Sequence, residues 1–238
     1  MHKHLLVFAV ILFLFQTSSK AQNVDLLPKK KTSISKPSRD FLMVQLTYDN
    51  WANKPDSIQT TGLGRGLGIY LCYDWPINNS NFSFASGVGI GSSNIFLKNQ
   101  VVSFEDTGAI ASQAIFGDDT AAGYKKYKLA TAYFEAPFEL RYFSNKENRN
   151  SGFKAAIGLR VGTLLSAHTK GVYTIDGNKT IDKVESKRYL EKWRFAATFR
   201  VGYGNFSLMG TYNLNSLFKA TNGPQVTPYS IGICISGL

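Results

Sequence analysis

The chain has 238 residues with 27 Lys+Arg against 16 Asp+Glu, a formal net charge of +11, together with 13% aromatic residues and 21 glycines. That length allows one large or two small domains, and the aromatic and glycine content, with few windows of helical period, points to an all-β chain. Basic charge of this size can mean nucleic acid, but clustered arginine and aromatic binding motifs are missing, so no nucleic-acid partner is expected and anionic lipid or glycolipid head groups are the better counter-charge.

The chain opens with a basic start, an apolar run from Leu5 to Phe15, and "QTSSKA", with Ser19 and Ala21 at the −3 and −1 positions of a cleavage site. Residues 1–21 thus read as a secretory signal peptide, since eleven apolar residues span only ~16 Å as helix against a hydrocarbon core of ~30 Å. Residues 22–39, "QNVDLLPKKKTSISKPSR", carry no period and two prolines, and read as a flexible basic periplasmic leader. From residue 40 to 238 the chain reads as one domain.

Eight segments of that domain alternate, each with one apolar and one small or polar face. They cover 41–50, 63–75, 81–96, 127–143, 152–166, 192–203, 206–218 and 229–237. The first sends Leu42, Val44, Leu46 and Tyr48 one way and Met43, Gln45, Thr47 and Asp49 the other; the sixth threads Arg194 and Arg200 between Trp193, Phe195, Phe199 and Tyr203. Connections alternate in length without exception: short at "PINNS", "SNKENRNS" and Gly204-Asn205, long at 51–62, 97–126, 167–191 and 219–228. Short turns at one end and long loops at the other mark an eight-stranded antiparallel up-and-down transmembrane β-barrel in the outer membrane, whose aromatics face lipid and whose arginines face the interior. A soluble eight-stranded calyx is the competing fold, and its strands need polar outer faces.

The segments "GLGIYLCYDWPI", "NFSFASGVGIG" and "AYFEAPFELRYF", together with the cleavage site, resemble the small outer-membrane β-barrel proteins of Bacteroidota, the broad PorT-like group, over residues 40–238. The resemblance implies an eight-stranded barrel of the cell envelope in a group with a member implicated in type IX secretion and gliding.

The alternation sends Asp49, Asp74, Glu135 and Glu139 into the lumen with Arg141, Lys154, Arg160, Arg194 and Arg200, a set close to self-neutralising that should fill a narrow barrel with paired charges. A turn centred between Glu147 and Asn148 puts Glu135 across from Arg160. Tyr48, Trp51, Tyr73, Trp75, Trp193 and Tyr203 fall near strand ends, as interfacial girdles require. Cys72 and Cys234 lie two strand spacings apart, ~9–10 Å, too far for a disulfide, so free thiols are expected. Pro137 suggests a bulge or bend.

Candidates for chemistry are sparse. Ser166 and His168 share a face at the external end of the fifth segment, and with an acid such as Glu191 they would make a lipid-A or phospholipid acyl hydrolase. The acidic ends of "EDTGAIASQAIFGDD" lack the spacing of a calcium loop, and "GLGRGLG" is read as small lumen-facing residues instead of a phosphate loop. No metal and no cofactor are expected. The reading is a monomeric, non-enzymatic scaffold, secretion-accessory or surface-interaction barrel, whose partners are outer-membrane lipids, lipopolysaccharide and envelope or secretion-machinery proteins. The alternatives are a small-solute pore and the Ser166/His168 hydrolase.

Overall fold

The computed structural model describes residues 40–104, 113–119, 123–145 and 147–237. The signal-peptide and leader assignments fall outside them. Eleven strands succeed one another: β1 (Asp40–Ala52), β2 (Gly64–Pro76), β3 (Phe82–Leu97), β4 (Gln100–Ser103), β5 (Ile115–Asp118), β6 (Lys126–Phe143), β7 (Phe153–Ile175), β8 (Asn178–Glu185), β9 (Trp193–Tyr203), β10 (Phe206–Asn213) and β11 (Thr227–Ser236).

Eight of them close into a ring. The order β6-β3-β2-β1-β11-β10-β9-β7 is completed by a β6–β7 ladder, and every neighbouring pair is antiparallel. The first and last strands pair from Met43↔Ser236 to Ala52↔Thr227, so the sheet has no open edge along the wall. This is the architecture expected from the alternation, and among the described residues no helix interrupts it.

Turn chemistry at the short end follows the sequence. Tyr203 pairs with Phe206 around Gly204-Asn205, with φ +59° at Gly204, which fits a two-residue hairpin with glycine first. At the long end the structure adds elements the sequence did not announce. β4 and β5 pair with each other inside the 97–126 connection, where a plain loop was expected, although residues 105–112 of that segment lie outside the described set. β7 runs 23 residues, far beyond the span expected to end at 166, and returns through Asp176-Gly177 (φ +49° and +80°) as the outer strand β8. Positive φ at both central residues is what an Asp-Gly turn supplies in a tight hairpin. β10, conversely, stops at Asn213 instead of continuing to 218.

The two faces separate as the period demands. Leu46, Ile69, Leu71, Val88, Ile90, Phe138, Ile157, Leu159, Phe199, Leu208 and Ile231 point outward and are exposed, Leu71 by 64% and Ile157 by 63%. An apolar belt running round the whole wall has no place in water, and it suits hydrocarbon. Pro137 proves to sit in an unbroken register: Ser86↔Phe138 and Gly89↔Glu135 continue one ladder across it, and Pro137 pairs with Arg160 on the other side. The irregularity lies four residues upstream on β6, where Ala132 pairs with Ser166 but Tyr133 pairs with Leu164, leaving Leu165 as the extra residue of β7. On the β3 side the pairing lapses at Gly87 and Val88, opposite Pro137 and Ala136, as the missing N–H of proline requires.

The belt generates a prediction with a built-in control. Ile69→Arg, halfway along β2, should cost about 2–4 kcal/mol in lipid vesicles, whereas Tyr203→Arg at the short-turn rim should cost at most about 1 kcal/mol. Urea unfolding in the same vesicles measures both.

Candidate functional site

The interior is organised from β6 outward. Glu135 and Glu139 stand on its inner face, and each carboxylate bridges two arginines. In the upper layer Glu135 Oε1 accepts from Arg194 Nη1 at 2.8 Å, and Oε2 accepts from Arg160 Nη1 at 3.3 Å and from the Tyr70 hydroxyl at 2.5 Å. Arg160 also donates to Gln45 Oε1 at 3.1 Å, and its guanidinium lies 4.6 Å above the Tyr70 ring. Arg194 donates from Nε to Asn213 Oδ1 at 2.9 Å and stacks over Tyr133.

The lower layer is centred on Glu139 and Asp74. Glu139 Oε2 accepts from Arg141 Nε and Arg200 Nη2, both at 2.8 Å. Asp74 accepts from Ser83 Oγ at 3.0 Å and pairs with Arg141 at 3.5 Å and Arg149 at 2.5 Å. Met43, Cys72, Met209, Cys234 and the Tyr70 ring form a soft cluster between the layers. Both cysteines are free and buried. They sit beside opposite edges of β1, facing Phe41 and Gln45 in the two ladders.

Glycine makes the upper layer possible. A Cβ at Gly91 would stand 2.7 Å from Glu135 Oε2 and 2.9 Å from the Tyr70 hydroxyl, and one at Gly162 would stand 3.0 Å from Glu135 Cγ. A Cβ at Gly68 or Gly89 would press into the Tyr70 ring at 2.6 and 2.3 Å. The small lumen-facing residues seen in the sequence are thus the space into which one tyrosine and one glutamate fit.

Each expected site residue can now be placed. Asp49, Asp74, Glu135, Glu139, Arg141, Lys154, Arg160 and Arg200 are buried inside the barrel, and Arg194 is nearly so, with 11% of its side chain exposed. Two of the nine stand apart from the expected pairing. Asp49 accepts from Thr47 Oγ1 at 2.6 Å near the outer end of β1, and Lys154 donates to Ser236 Oγ at 3.4 Å near the inner end of β7. Opposite ends of the lumen keep them from neutralising one another. The Glu135–Arg160 pair forms on a different register from the one expected: Glu135 opposes Gly162, and Arg160 reaches back diagonally from its place opposite Pro137. The nine-residue turn between β6 and β7 is centred one residue later than expected, which shifts the ladder by two.

Of the girdle residues, Tyr73, Trp75, Trp193 and Tyr203 are exposed on the outer face and Tyr48 is half-buried, but Trp51 is not in the girdle. It continues the inward side of β1 after Asp49 and is 4% exposed, because an apolar cap fills the mouth above the charge layers. Trp51, Phe116 and Phe218 meet edge to face, with ring centroids 5.8–6.5 Å apart. Ile58, Phe104, Leu190 and Val226 bring the remaining long connections into the same cluster. Backbone bonds tie them together, Ala114 N–H to Asn222 O and Lys219 N–H to Tyr189 O among them. Among the described residues, cavities within the cap and charge layers measure about 30, 20 and 10 Å³. A water's share of liquid volume is about 30 Å³, so these are spaces for single waters.

Tyr70, Gln45, Asn213 and Arg149 are the members that sequence reading did not assign to the network. Tyr70 carried a signal, as the one large side chain on a face of glycines. Arg149 carried none, because it enters from a turn.

Ser166 and His168 do lie on one face, and the bulge at Leu165 turns that face outward, with His168 opposite Ala130 and Glu185. Among the described residues no hydrogen bond joins Ser166 to His168, and Glu191 is held at the cap through its backbone N–H to Leu217 O at 2.9 Å. Among the described residues no three His, Cys, Asp or Glu side chains converge on a point where a metal could bind. Above the wall, the Tyr124 hydroxyl donates to Asp182 Oδ2 at 2.8 Å, and burial together with that bond pushes its pKa up to about 12. Lys183 beside Glu185 holds that carboxyl below its usual range.

Removing Glu135 should strand Arg160, Arg194 and the Tyr70 hydroxyl at once. Glu135→Ala is expected to cost about 3–5 kcal/mol. Adding Arg160→Ala to it should cost much less than the two single changes summed, because the second arginine loses nothing further. Equilibrium unfolding of the four proteins in one detergent reads the coupling, and simple additivity would contradict the network.

The family model described as an outer membrane protein beta-barrel domain matches residues 42–219. A comparison with curated proteins finds no matching relative. The match runs from the start of β1 past the end of β10, taking in the β6–β7 ladder and both charge layers, and the chain accordingly belongs to the outer-membrane β-barrel family.

Proposed function

We propose that this barrel is a non-enzymatic component of the outer membrane that presents a folded external platform and conducts no solute, serving as a scaffold, a secretion-accessory protein or a surface-interaction protein. The observation that carries the reading is the double filling of the bore: two layers of bridged carboxylates and arginines below, and an apolar cap built by all four long connections above. A pore needs a continuous wet path, and hydrophobic constrictions exclude water. Side chains fill an eight-stranded barrel readily. A platform, in contrast, needs rigid external elements, and the β7–β8 hairpin and the β4–β5 pair are of that kind.

The resemblance of residues 40–238 to the PorT-like proteins of Bacteroidota supports a secretion-accessory role within this proposal. Its partners are then envelope or secretion-machinery proteins that dock on the platform, with outer-membrane lipids and lipopolysaccharide around the wall. The protein acts as a monomeric barrel. The hydrolase alternative is the weaker one, because Ser166 and His168 stand on the outer surface among lysines with no acid oriented towards the imidazole by a hydrogen bond among the described residues.

Purified barrel in a planar bilayer is expected to give no steady single-channel current, and reproducible conductance steps from the wild-type protein would establish the pore in its place. Cross-linking in intact cells followed by identification of the captured proteins tests the platform role. His168→Ala should fold and leave lipid-A and phospholipid acylation unaltered. A changed acylation pattern in cells carrying that variant would make the protein an enzyme.

A further inference from the structure

We infer that the outer surface of β2, β3, β6, β7 and β8 just above the apolar belt binds the phosphorylated head group of an outer-leaflet glycolipid. The inference rests on the outer-membrane reading and adds a site to it.

The first observation is a row of like charges. Lys128 on β6 pairs directly with Lys170 on β7, and Lys170 pairs directly with Lys183 on β8, so three lysines stand side by side on one face of three adjacent strands. Like charges in direct cross-strand opposition destabilise a sheet. The bulge at Leu165 is what puts Lys170 on this face, since it exchanges the inward and outward positions of β7 above it. Lys128 Nζ donates to the neutral Asn94 Oδ1 at 2.5 Å and Glu185 offsets Lys183 at 2.5 Å, which leaves the row of three lysines with a net charge of about +2.

The second observation is a pocket of about 380 Å³ beside the row, lined by Arg65, Lys98, Lys125 and Lys126 with Phe96 and Tyr124. Its one carboxylate, Asp119, is turned away to accept the backbone N–H groups of Gly123 and Tyr124. Four cations beside aromatic rings suit a sugar bearing phosphate, since phosphate takes the charges and a sugar ring covers the aromatic faces.

Height decides between a lipid and a soluble anion. On β6 the outward residues from Tyr142 to Ala130 cover ~40 Å of strand, or ~30 Å of height at barrel tilt, close to the full apolar band. Lys128 is the next outward residue, so the row lies at the head-group level of the outer leaflet. Beneath the pocket the wall is shallow, with Ser92 paired to Ala132 and Asn94 to Ala130, flanked by the exposed Leu67 and Phe134. An acyl chain hanging from a head group in the pocket would lie along that depression.

Full-length barrel in mild detergent, incubated with bisphosphorylated lipid A and analysed by native mass spectrometry, tests the site. Wild-type protein should retain the glycolipid, and Lys128→Gln with Lys170→Gln should weaken retention about 30-fold, at about 1 kcal/mol for each cation near a charged surface. Lys179→Gln, at the tip of the β7–β8 hairpin, should leave it unchanged. Both variants must still show the heat-dependent gel shift of a folded barrel. Absence of that shift in the wild-type protein would count against the outer-membrane reading itself, whereas a folded wild type that retains no lipid A overturns the site alone. Equal retention by the double variant, equal retention of dephosphorylated lipid A, or displacement by millimolar inorganic phosphate would each overturn the glycolipid proposal, the last by showing a simple anion site.

Discussion

Everything in this molecule depends on satisfying backbone groups where water is absent. A strand in hydrocarbon cannot leave an N–H or C=O unpaired without a cost of several kcal/mol, so the sheet must close on itself. Closure between β1 and β11 fixes how many strands there are, and the strand number fixes a bore too narrow for a water column. Once the bore is narrow, the inward residues must pack like a protein core. Those residues are also the only ones free to be polar, since the outward set belongs to lipid. The charge layers follow from these two demands: polar groups are permitted inside, and close packing makes them neutralise each other.

The packing is achieved by contrast of size. Glu135, Tyr70 and Arg160 occupy volume that Gly68, Gly89, Gly91 and Gly162 leave empty, so the large groups come from β6, β2 and β7 and the space comes from β3 and from glycines on β2 and β7 themselves. Buried ion pairs of this kind add little net stability, because desolvation offsets most of the attraction. Their effect is on uniqueness, for a slip of register would put a carboxylate against a neighbouring Cβ and separate it from its arginines. The upper half of the bore uses the opposite solution, an apolar core assembled from loops, and the two halves meet near Arg194, Tyr133 and Leu129.

How much of this was legible depended on where a period of two existed. The eight wall strands, their inward and outward faces and the nine lumen charges carried on strands were visible because lipid on one side enforces strict alternation, whereas Arg149, which enters from a turn, was not. Register across the β6–β7 turn was not, since a nine-residue connection does not fix its own centre, and the expected pairing came out two residues off. The cap was invisible: Ile58, Phe104, Leu190, Phe218 and Val226 sit at no regular spacing, and only the fold brings them together. β8 was hidden for another reason, because "NKTIDKVE" is polar on both faces and exposed along its length. Trp51 was misread through a preference for aromatics at the rim, although its parity with Asp49 already pointed inward.

The extra residue at Leu165 has a consequence for how this gene can vary. Below it the even-numbered residues of β7 face the bore, and above it the odd-numbered ones do: Arg160 and Leu164 point inward, and so do Ala167 and Thr169. A three-nucleotide deletion of that codon leaves the reading frame, the belt and both charge layers intact. It would restore plain alternation, with outward Ser166 directly after inward Leu164, and leave Ala167 and Thr169 in the apolar cap and His168 and Lys170 outside. Loss of one residue should therefore be tolerated at the bulge, as in the hairpin tip around Asp176, and be purged from the regular stretch between Lys154 and Arg160, where it would set those two side chains on opposite faces of the wall.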